Sequence, residues 1–190
     1  MRKIKFKNIT IINQLISHDD IIYLRNYLDG CTFNKDDNNP NEFINVSDVR
    51  CTQILQDAQN SLKSCIEEEF RCQISNEGIG TVVRFSVGWE LPYHCDQWSS
   101  LPTYSGGATR DISSIIYLSD DFSGGELEFP DIGMIVEPSA GSAIFFTGNE
   151  EYMHRVRPVI SGSRMTCTGF WSILSNHDHV SIPPTAAVSV

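Results

Sequence analysis

The 190-residue sequence lacks any run of 18 or more apolar residues, and its first residues lack the long apolar core of a signal peptide. These absences predict a cytoplasmic protein without a membrane span. Positive charge is also scarce, because 14 lysines and arginines accompany 24 aspartates and glutamates, a formal net charge of −10. Non-specific binding to nucleic acid or to an anionic membrane needs a surplus of positive charge, so the composition argues against both partners.

The sequence also lacks closely spaced cysteines, and it lacks lysine in its second two-thirds. Lysine is absent after Lys63, so a cationic side chain that binds an anion in the second two-thirds of the chain must be an arginine. The cysteines are too scattered for a C-x-x-C zinc site, and in a reducing compartment we expect free, mostly buried thiols. The six are Cys31, Cys51, Cys65, Cys72, Cys95 and Cys167.

The residues that are present predict one domain over 1–190, with a helical scaffold and edge strands in 1–78, a β core in 79–174 and a loosely held tail in 175–190. Lys3 to Ile12 alternates loosely and is typical of an edge strand. Ser17 is a predicted N-cap for a helix that stops at Gly30, and a second helix begins near Ser47 or Asp48 and continues to about Phe70. The polar stretch from Asn34 to Asn45, which contains Pro40, predicts a loop.

From Ile79 onward the apolar period changes to two and turn residues become frequent, which indicates short strands. Eight strands after two helices predict an α+β, mainly β fold: a double-stranded β-helix, or jelly roll, with the N-terminal helices packed on one sheet. The predicted strands are Thr81 to Val87, Leu91 to Asp96, Ile112 to Leu118, Glu126 to Phe129, Gly133 to Glu137, Ser142 to Phe146, His154 to Val159 and Ser163 to Ile173.

The most informative short motif is His94-Cys95-Asp96. On an extended strand His94 and Asp96 point to the same face and could hold one metal ion, while Cys95 points away and is expected to pack. His154 is the candidate third ligand. Two imidazoles and one carboxylate with open positions form the facial arrangement of non-haem Fe(II) oxygenases.

Two alternatives to this metal site remain open in the sequence. His154 could be a hydrogen-bonded core histidine without a ligand role. The pair His177 and His179 also has chelating spacing, but a site on a fraying terminus loses more entropy on ordering than a site on strands.

Arg164 is the candidate anion-binding residue. On a strand it shares a face with Thr166 and Thr168, and a buried arginine needs an anionic partner. A dicarboxylic cosubstrate would supply one, with Thr166 adding a hydroxyl. The alternative is that Arg164 faces solvent or pairs with an internal glutamate.

These motifs together carry a family resemblance, which covers about half the chain. The order of residues resembles the catalytic domain of prolyl 4-hydroxylase-like 2-oxoglutarate and Fe(II)-dependent dioxygenases. It runs Phe85-x-x-Gly88, His94-x-Asp96, Tyr117-Leu118-x-Asp120-Asp121-Phe122-x-Gly124-Gly125-Glu126-Leu127-x-Phe129-Pro130, Pro138-x-x-Gly141 and His154-x-x-x-Pro158-Val159-x-x-Gly162-x-Arg164.

The resemblance implies that His94, Asp96 and His154 bind Fe(II) and that Arg164 binds the C5 carboxylate of 2-oxoglutarate. It also implies consumption of O₂, with ascorbate as an optional reductant, decarboxylation of 2-oxoglutarate to succinate, and hydroxylation of a substrate. Three positions depart from the family: Phe85 replaces a usual tyrosine, Leu127 a usual threonine, and Arg164 the lysine of collagen-type enzymes. Tyr93, Tyr117 or Thr166 would then provide the hydroxyl that Phe85 lacks.

The substrate predicted first is a prolyl residue in a peptide or protein. A free amino acid or another small molecule is a second hypothesis, and a non-catalytic β-barrel that acts as a binding module is a third. Trp98 and Tyr104, in the loop Gln97 to Thr109, and the nearby Arg110 are candidate substrate contacts. Trp98 could equally be a packing anchor, and Arg110 could pair with an acidic neighbour.

Overall fold

The computed structural model describes residues 2–36, 39–76, 81–97 and 110–176. The helices in these ranges are α1 (His18–Asp29) and α2 (Val49–Phe70), and short 3-10 turns lie at Pro130–Ile132 and Glu150–Tyr152. The strands are β1 (Arg2–Phe6), β2 (Ile9–Asn13), β3 (Asn34–Asp36), β4 (Asn39–Asn45), β5 (Cys72–Asn76), β6 (Thr81–Phe85), β7 (Leu91–His94), β8 (Ile112–Tyr117), β9 (Ser123–Gly124), β10 (Leu127–Phe129), β11 (Met134–Val136), β12 (Ala143–Thr147), β13 (His154–Val156), β14 (Val159–Ser161) and β15 (Arg164–Asn176).

The strands form a large sheet and a small sheet that face each other. The large sheet has the order β1-β2-β12-β8-β15-β6-β4-β3, with β5 also paired to β15, and the small sheet has the order β11-β10-β13-β7. All the strand pairs among the described residues are antiparallel, and β14 and β9 form a separate two-stranded ribbon. The predicted α+β, mainly β jelly roll is confirmed.

Both helices begin and end where the sequence predicts. The Ser17 hydroxyl accepts a hydrogen bond from the Asp20 amide, and the Asp48 carboxylate accepts one from the Cys51 amide, so each helix has a side-chain N-cap. Gly30 ends α1, as predicted. Neither described helix combines the length and the apolar character needed to cross a bilayer.

The large sheet separates two hydrophobic cores. Leu24 of α1 and Leu55 of α2 pack with Ile116 of β8 on one side of the sheet. On the other side Ile115, the neighbour of Ile116, packs with Leu127 of the small sheet. Because β8 is covered on both faces, all six of its residues are buried, which explains its continuous apolar pattern.

Four local predictions are corrected by the structure. The predicted loop Asn34 to Asn45 contains strands β3 and β4, and β4 pairs with β6 through its register from Glu42 to Asn45. Its polar composition is tolerated because Glu42 is neutralised by Arg84 and Lys35.

The other corrections concern strand boundaries. The N-terminal edge strand is a hairpin of β1 and β2, because Lys7 adopts a positive φ of 53° between them. Strand β5 was not predicted. The strand predicted from His154 to Val159 divides into β13 and β14 at Pro158, which has no amide to donate to a ladder.

Candidate metal centre and anion pocket

Two neighbouring strands of the small sheet bring the candidate histidines together. β7 and β13 pair so that His94 stands directly opposite His154, and the ring centroids lie 4.4 Å apart. Asp96 follows β7, with its carboxylate oxygens 3.5 Å from the Nε2 atom of each histidine. One ligand atom from each residue lies within 4.8 Å of the others, which is the geometry of a three-ligand metal site.

The backbone reaches this arrangement by a different route from the one predicted. Strand β7 ends at His94, and Asp96 lies in a turn rather than on a continuous strand. The Gln97 amide donates to the Gly148 carbonyl at 2.9 Å and holds this turn against the end of β12. The side chain of Cys95 is buried away from the cluster, beside Gln97 and Asn149.

Backbone carbonyls orient both imidazole rings. The Nδ1 atom of His94 lies 2.7 Å from the Pro92 carbonyl oxygen, and the Nδ1 atom of His154 lies 3.0 Å from that of Tyr152. Because a carbonyl only accepts, each Nδ1 must carry the proton and donate it. The Nε2 lone pairs therefore face Asp96 and are available to a metal ion.

Burial sets the charge of the cluster. In the metal-free protein burial pushes the pKa of Asp96 upward, but the interactions with protonated His94, with His154 and with Ser113 outweigh it and hold that pKa below its ordinary value. Asp96 in turn raises the pKa of His94 more than burial lowers it, so a metal ion would displace that proton from Nε2. Burial lowers the pKa of His154 more than Asp96 raises it. The site therefore offers an ionised carboxylate beside a neutral imidazole, as a divalent cation requires.

Arg164 occupies the large-sheet side of the same cavity and is 1% exposed. Its Nε–H donates to the Gly125 carbonyl at 3.0 Å, and its Nη1–H donates to the Thr166 hydroxyl at 3.5 Å. Its Nη2 and the Tyr117 hydroxyl are buried and have no hydrogen-bond partner in the described part of the chain. Among the described residues no carboxylate forms an ion pair with Arg164. In this part of the chain Arg164 therefore neither faces solvent nor pairs with a glutamate.

One cavity between the two sheets is bordered both by the candidate metal ligands and by Arg164. Its walls contain the three candidate metal ligands, Arg164 and mostly apolar side chains. The remaining lining residues are Phe85, Leu91, Ser113, Ile115, Leu127, Phe146, Val156, Thr168 and Phe170. An anion that binds Arg164 would therefore share one chamber with an ion bound at the cluster.

The other residues predicted to bind the cosubstrate separate into two groups. Tyr117 and Thr166 are buried beside Arg164, as a cosubstrate role requires. Tyr93 is 44% exposed and donates its hydroxyl hydrogen to Asp131, because neighbours on a strand alternate and His94 takes the inner face. The assignment of Tyr93 to the cosubstrate is therefore corrected.

The candidate substrate contacts are only partly described. The Arg110 guanidinium lies 3.8 Å from the ring centroid of Phe170, which borders the cavity. Trp98 and Tyr104 lie outside the described residues, as do His177 and His179.

Sequence reasoning missed several residues that border the cavity. Phe170 follows Arg164, Thr166 and Thr168 at the period of two along β15, so extending the strand alternation by one step would have identified it. Ser113 lies inside the buried strand β8, where every residue is covered and no polar pattern marks it. The Gly125 carbonyl carries no side-chain signal at all.

Comparison with known proteins supports the same interpretation. A family model described as the 2OG-Fe(II) oxygenase superfamily matches residues 80–172. The rat 2-oxoglutarate and iron-dependent oxygenase domain-containing protein 3 is 42% identical over 91 residues, which are 45% of this chain and 28% of that protein. A PKHD-type hydroxylase of Acaryochloris marina is 32% identical over 107 residues, which are 53% of this chain and 46% of that protein. The matches thus span less than half the length of these relatives.

Solved structures share the fold at low sequence identity. The viral collagen prolyl hydroxylase of Paramecium Bursaria Chlorella virus-1 has a TM-score of 0.69 at 19% identity and covers 89% of this chain and 97% of its own. A Pseudomonas putida prolyl-4-hydroxylase has a TM-score of 0.64 at 18% identity, with 89% and 94% covered. Residues 80–172, which carry the His-Asp-His cluster, belong to the 2OG-Fe(II) oxygenase superfamily.

Proposed function

We propose that this protein is an Fe(II)- and 2-oxoglutarate-dependent dioxygenase that hydroxylates a prolyl residue in a peptide or protein. The observation that carries the proposal is one cavity with two complementary ends. A His-Asp-His cluster faces one end, and a buried arginine without an acidic partner among the described residues faces the other.

His94, Asp96 and His154 would hold Fe(II) through two imidazole nitrogens and one carboxylate oxygen. The carbonyls of Pro92 and Tyr152 support this role because they fix each Nδ1–H and leave Nε2 as the ligand atom. Bound Fe(II) would supply the oxidative chemistry that couples decarboxylation of 2-oxoglutarate to hydroxylation.

Arg164 would bind the far carboxylate of 2-oxoglutarate. Its Nη2 and the Tyr117 hydroxyl have no hydrogen-bond partner among the described residues, and an anion would accept hydrogen bonds from both. Burying a donor without a hydrogen bond costs free energy, so a bound anion would remove this cost. Tyr117 would thus supply the hydroxyl that Phe85 lacks, with Thr166 beside it.

The apolar walls would exclude water from the reaction. Phe146 and Phe129 pack around the His154 ring with centroids 4.8 and 5.7 Å away, and Leu127 and Val156 are buried in the same core. A dry chamber strengthens the interactions of Arg164 and protects a reactive intermediate from side reactions.

A prolyl substrate is supported by what related proteins act on. The solved neighbours include prolyl hydroxylases, and one from Trichoplax adhaerens was solved with a hypoxia inducible factor peptide fragment at a TM-score of 0.58 and 15% identity. Arg110 beside Phe170 would contact such a peptide where the cavity is bordered by β15.

We also propose that the chain acts as one domain in the cytoplasm. Strands β1 to β6 from the first half complete the sheet formed by β8, β12 and β15, so the helical scaffold and the core share one fold. None of the six cysteines, all of which lie in the described ranges, forms a disulfide bond, which agrees with a reducing compartment.

The direct test is consumption of 2-oxoglutarate with formation of succinate in the presence of Fe(II). His94→Ala and Asp96→Ala should each reduce turnover to background, because two ligands hold the metal far less tightly than three. His18→Ala, which removes an exposed histidine in α1, is the matched control and should retain full turnover. A wild-type protein that never consumes 2-oxoglutarate, even without substrate, would favour a binding module.

The substrate class requires a separate test. Pro-rich peptides and free amino acids, including proline, are compared for succinate formation above the substrate-free background, and hydroxylated product is identified by mass spectrometry. Stimulation by peptides alone supports the prolyl proposal. Stimulation by a free amino acid alone would replace it with a small-molecule hydroxylase.

A further inference from the structure

The turn between β9 and β10 places a backbone carbonyl against Arg164. Gly124 and Gly125 both have positive φ, 73° and 66°, a conformation that glycine adopts without strain. The Gly125 carbonyl accepts the hydrogen bond from Arg164 Nε at 3.0 Å. This turn therefore touches the anion-binding arginine directly.

The turn has no space for a side chain at Gly125. A Cβ built there would lie 3.0 Å from Arg164 Cδ, 3.0 Å from a ring carbon of Phe122 and 3.3 Å from Val159 Cγ2. Real Cβ contacts are rarely this close, so one of these neighbours would have to move. Arg164 is the neighbour with the most rotatable bonds, and it borders a cavity into which it could turn.

The position of the turn itself is fixed from the other side. The Gly125 amide donates to the Pro158 carbonyl at 3.1 Å, and β9 pairs with β14 through Gly124 and Val159. A Cβ on Gly124 would lie 2.1 Å from the Pro158 carbonyl oxygen, so the backbone is closely packed there. The backbone therefore cannot shift to make room for a side chain at Gly125.

We propose that Gly125 is a positioning residue that sets the orientation of the Arg164 guanidinium for 2-oxoglutarate. This inference rests on the proposed function. Gly125 holds Nε and Thr166 holds Nη1, while Nη2 has no partner within the described ranges and is available to a carboxylate. A guanidinium fixed at two nitrogens is already oriented when the ligand binds, so less conformational entropy is lost.

The test compares Gly125→Ala with Gly133→Ala. Gly133 is the matched control because its φ of 64° is nearly that of Gly125, but nothing lies within 4 Å of a Cβ built there. Both variants therefore carry the same backbone strain, and only Gly125→Ala disturbs Arg164. Dissociation constants for 2-oxoglutarate, with saturating Mn(II), and for Mn(II) alone are measured by calorimetry.

Gly125→Ala should weaken 2-oxoglutarate binding at least about tenfold relative to Gly133→Ala, while Mn(II) binding by the two variants stays within about twofold. Equal 2-oxoglutarate affinity in the two variants would overturn the role of Gly125. A wild-type protein that binds Mn(II) but not 2-oxoglutarate would instead overturn the proposed function.

A second measurement needs no ligand and is made on the wild-type protein, with a variant used only to assign the signal. In the ligand-free wild-type protein the Arg164 Nε–H should exchange with solvent at least about a hundredfold more slowly than that of Arg50, whose side chain is 56% exposed. The NMR signal is assigned by its loss in Arg164→Lys, which has no Nε–H. Exchange as fast as that of Arg50 would show that the Gly125 carbonyl does not hold Arg164.

Discussion

The two candidate histidine ligands and Arg164 are each oriented by atoms that lie outside the candidate metal cluster. The carbonyls of Pro92 and Tyr152 select the tautomer of the two histidines, and the Gly125 carbonyl and Thr166 hold the arginine. The reactive groups therefore need little rearrangement when ligands bind.

The first residue-scale prediction concerns Arg164→Ala. This substitution should weaken 2-oxoglutarate binding roughly a hundredfold, because two charge-assisted hydrogen bonds are lost, and should change Mn(II) binding by less than about threefold. Calorimetry measures both constants, and the exposed Arg50→Ala is the control. Equal loss of both affinities would contradict a role at the anion end of the cavity.

The second residue-scale prediction concerns the hydroxyl group that is missing at position 85, where Phe85 replaces a usual tyrosine. Tyr117→Phe should weaken 2-oxoglutarate binding about tenfold, while the free energy of unfolding without ligand changes by no more than about 1 kcal/mol, because the buried hydroxyl has no hydrogen-bond partner to lose. Tyr93→Phe should leave 2-oxoglutarate binding unchanged, since that hydroxyl donates to Asp131. The opposite pattern in the two variants would restore Tyr93 as the cosubstrate contact.

At the scale of elements, the sequence predicted what periodicity and capping residues determine. Ser17, Asp48 and Gly30 mark helix ends through local hydrogen bonds and backbone freedom, so α1 and α2 were predicted closely. The triplet His94-x-Asp96 also identified residues that the structure brings together with His154, although Asp96 lies in a turn after β7.

The remaining elements depend on contacts between distant residues. Strand β4 forms because β6 offers it an open edge and Arg84 neutralises Glu42, and neither fact is visible in the local polar sequence. The outward orientation of Tyr93 follows from the register of β7, which pairing with β13 fixes. Tertiary context therefore overrides local propensity in both cases.

A prediction at this scale concerns β10 and β13, which carry Leu127 and His154. On their outer face Arg157 and Arg155 hold the pKa of Glu128 at about 2, well below its ordinary 4.5. Ion pairs with a lowered carboxyl pKa stabilise the fold above the unfolded pKa, and this stability is lost as pH falls toward the folded pKa.

Glu128→Gln should therefore lower the melting temperature by no more than a few degrees at neutral pH, because the pair is near the surface. The difference from wild type should shrink as pH falls below about 4.5 toward about 2. Melting curves followed by circular dichroism across this range provide the measurement. A difference that stays constant with pH would mean that the ionised carboxylate contributes nothing.

At the scale of the whole molecule, the two faces of the large sheet have different roles. One face packs on α1 and α2 and forms a core without ionisable site residues, while the other closes over the cavity with the small sheet. The formal charge of −10 makes the buried Arg164 a local exception, as we expect if it binds the anionic cosubstrate proposed above.

The most direct test of the central claim is a crystal structure of the protein with Mn(II) and 2-oxoglutarate. We expect Mn(II) bound by Nε2 of His94, Nε2 of His154 and the Asp96 carboxylate, with the far carboxylate of 2-oxoglutarate at Arg164 and the Tyr117 hydroxyl. Mn(II) bound elsewhere, or 2-oxoglutarate outside the cavity between the two sheets, would contradict the account.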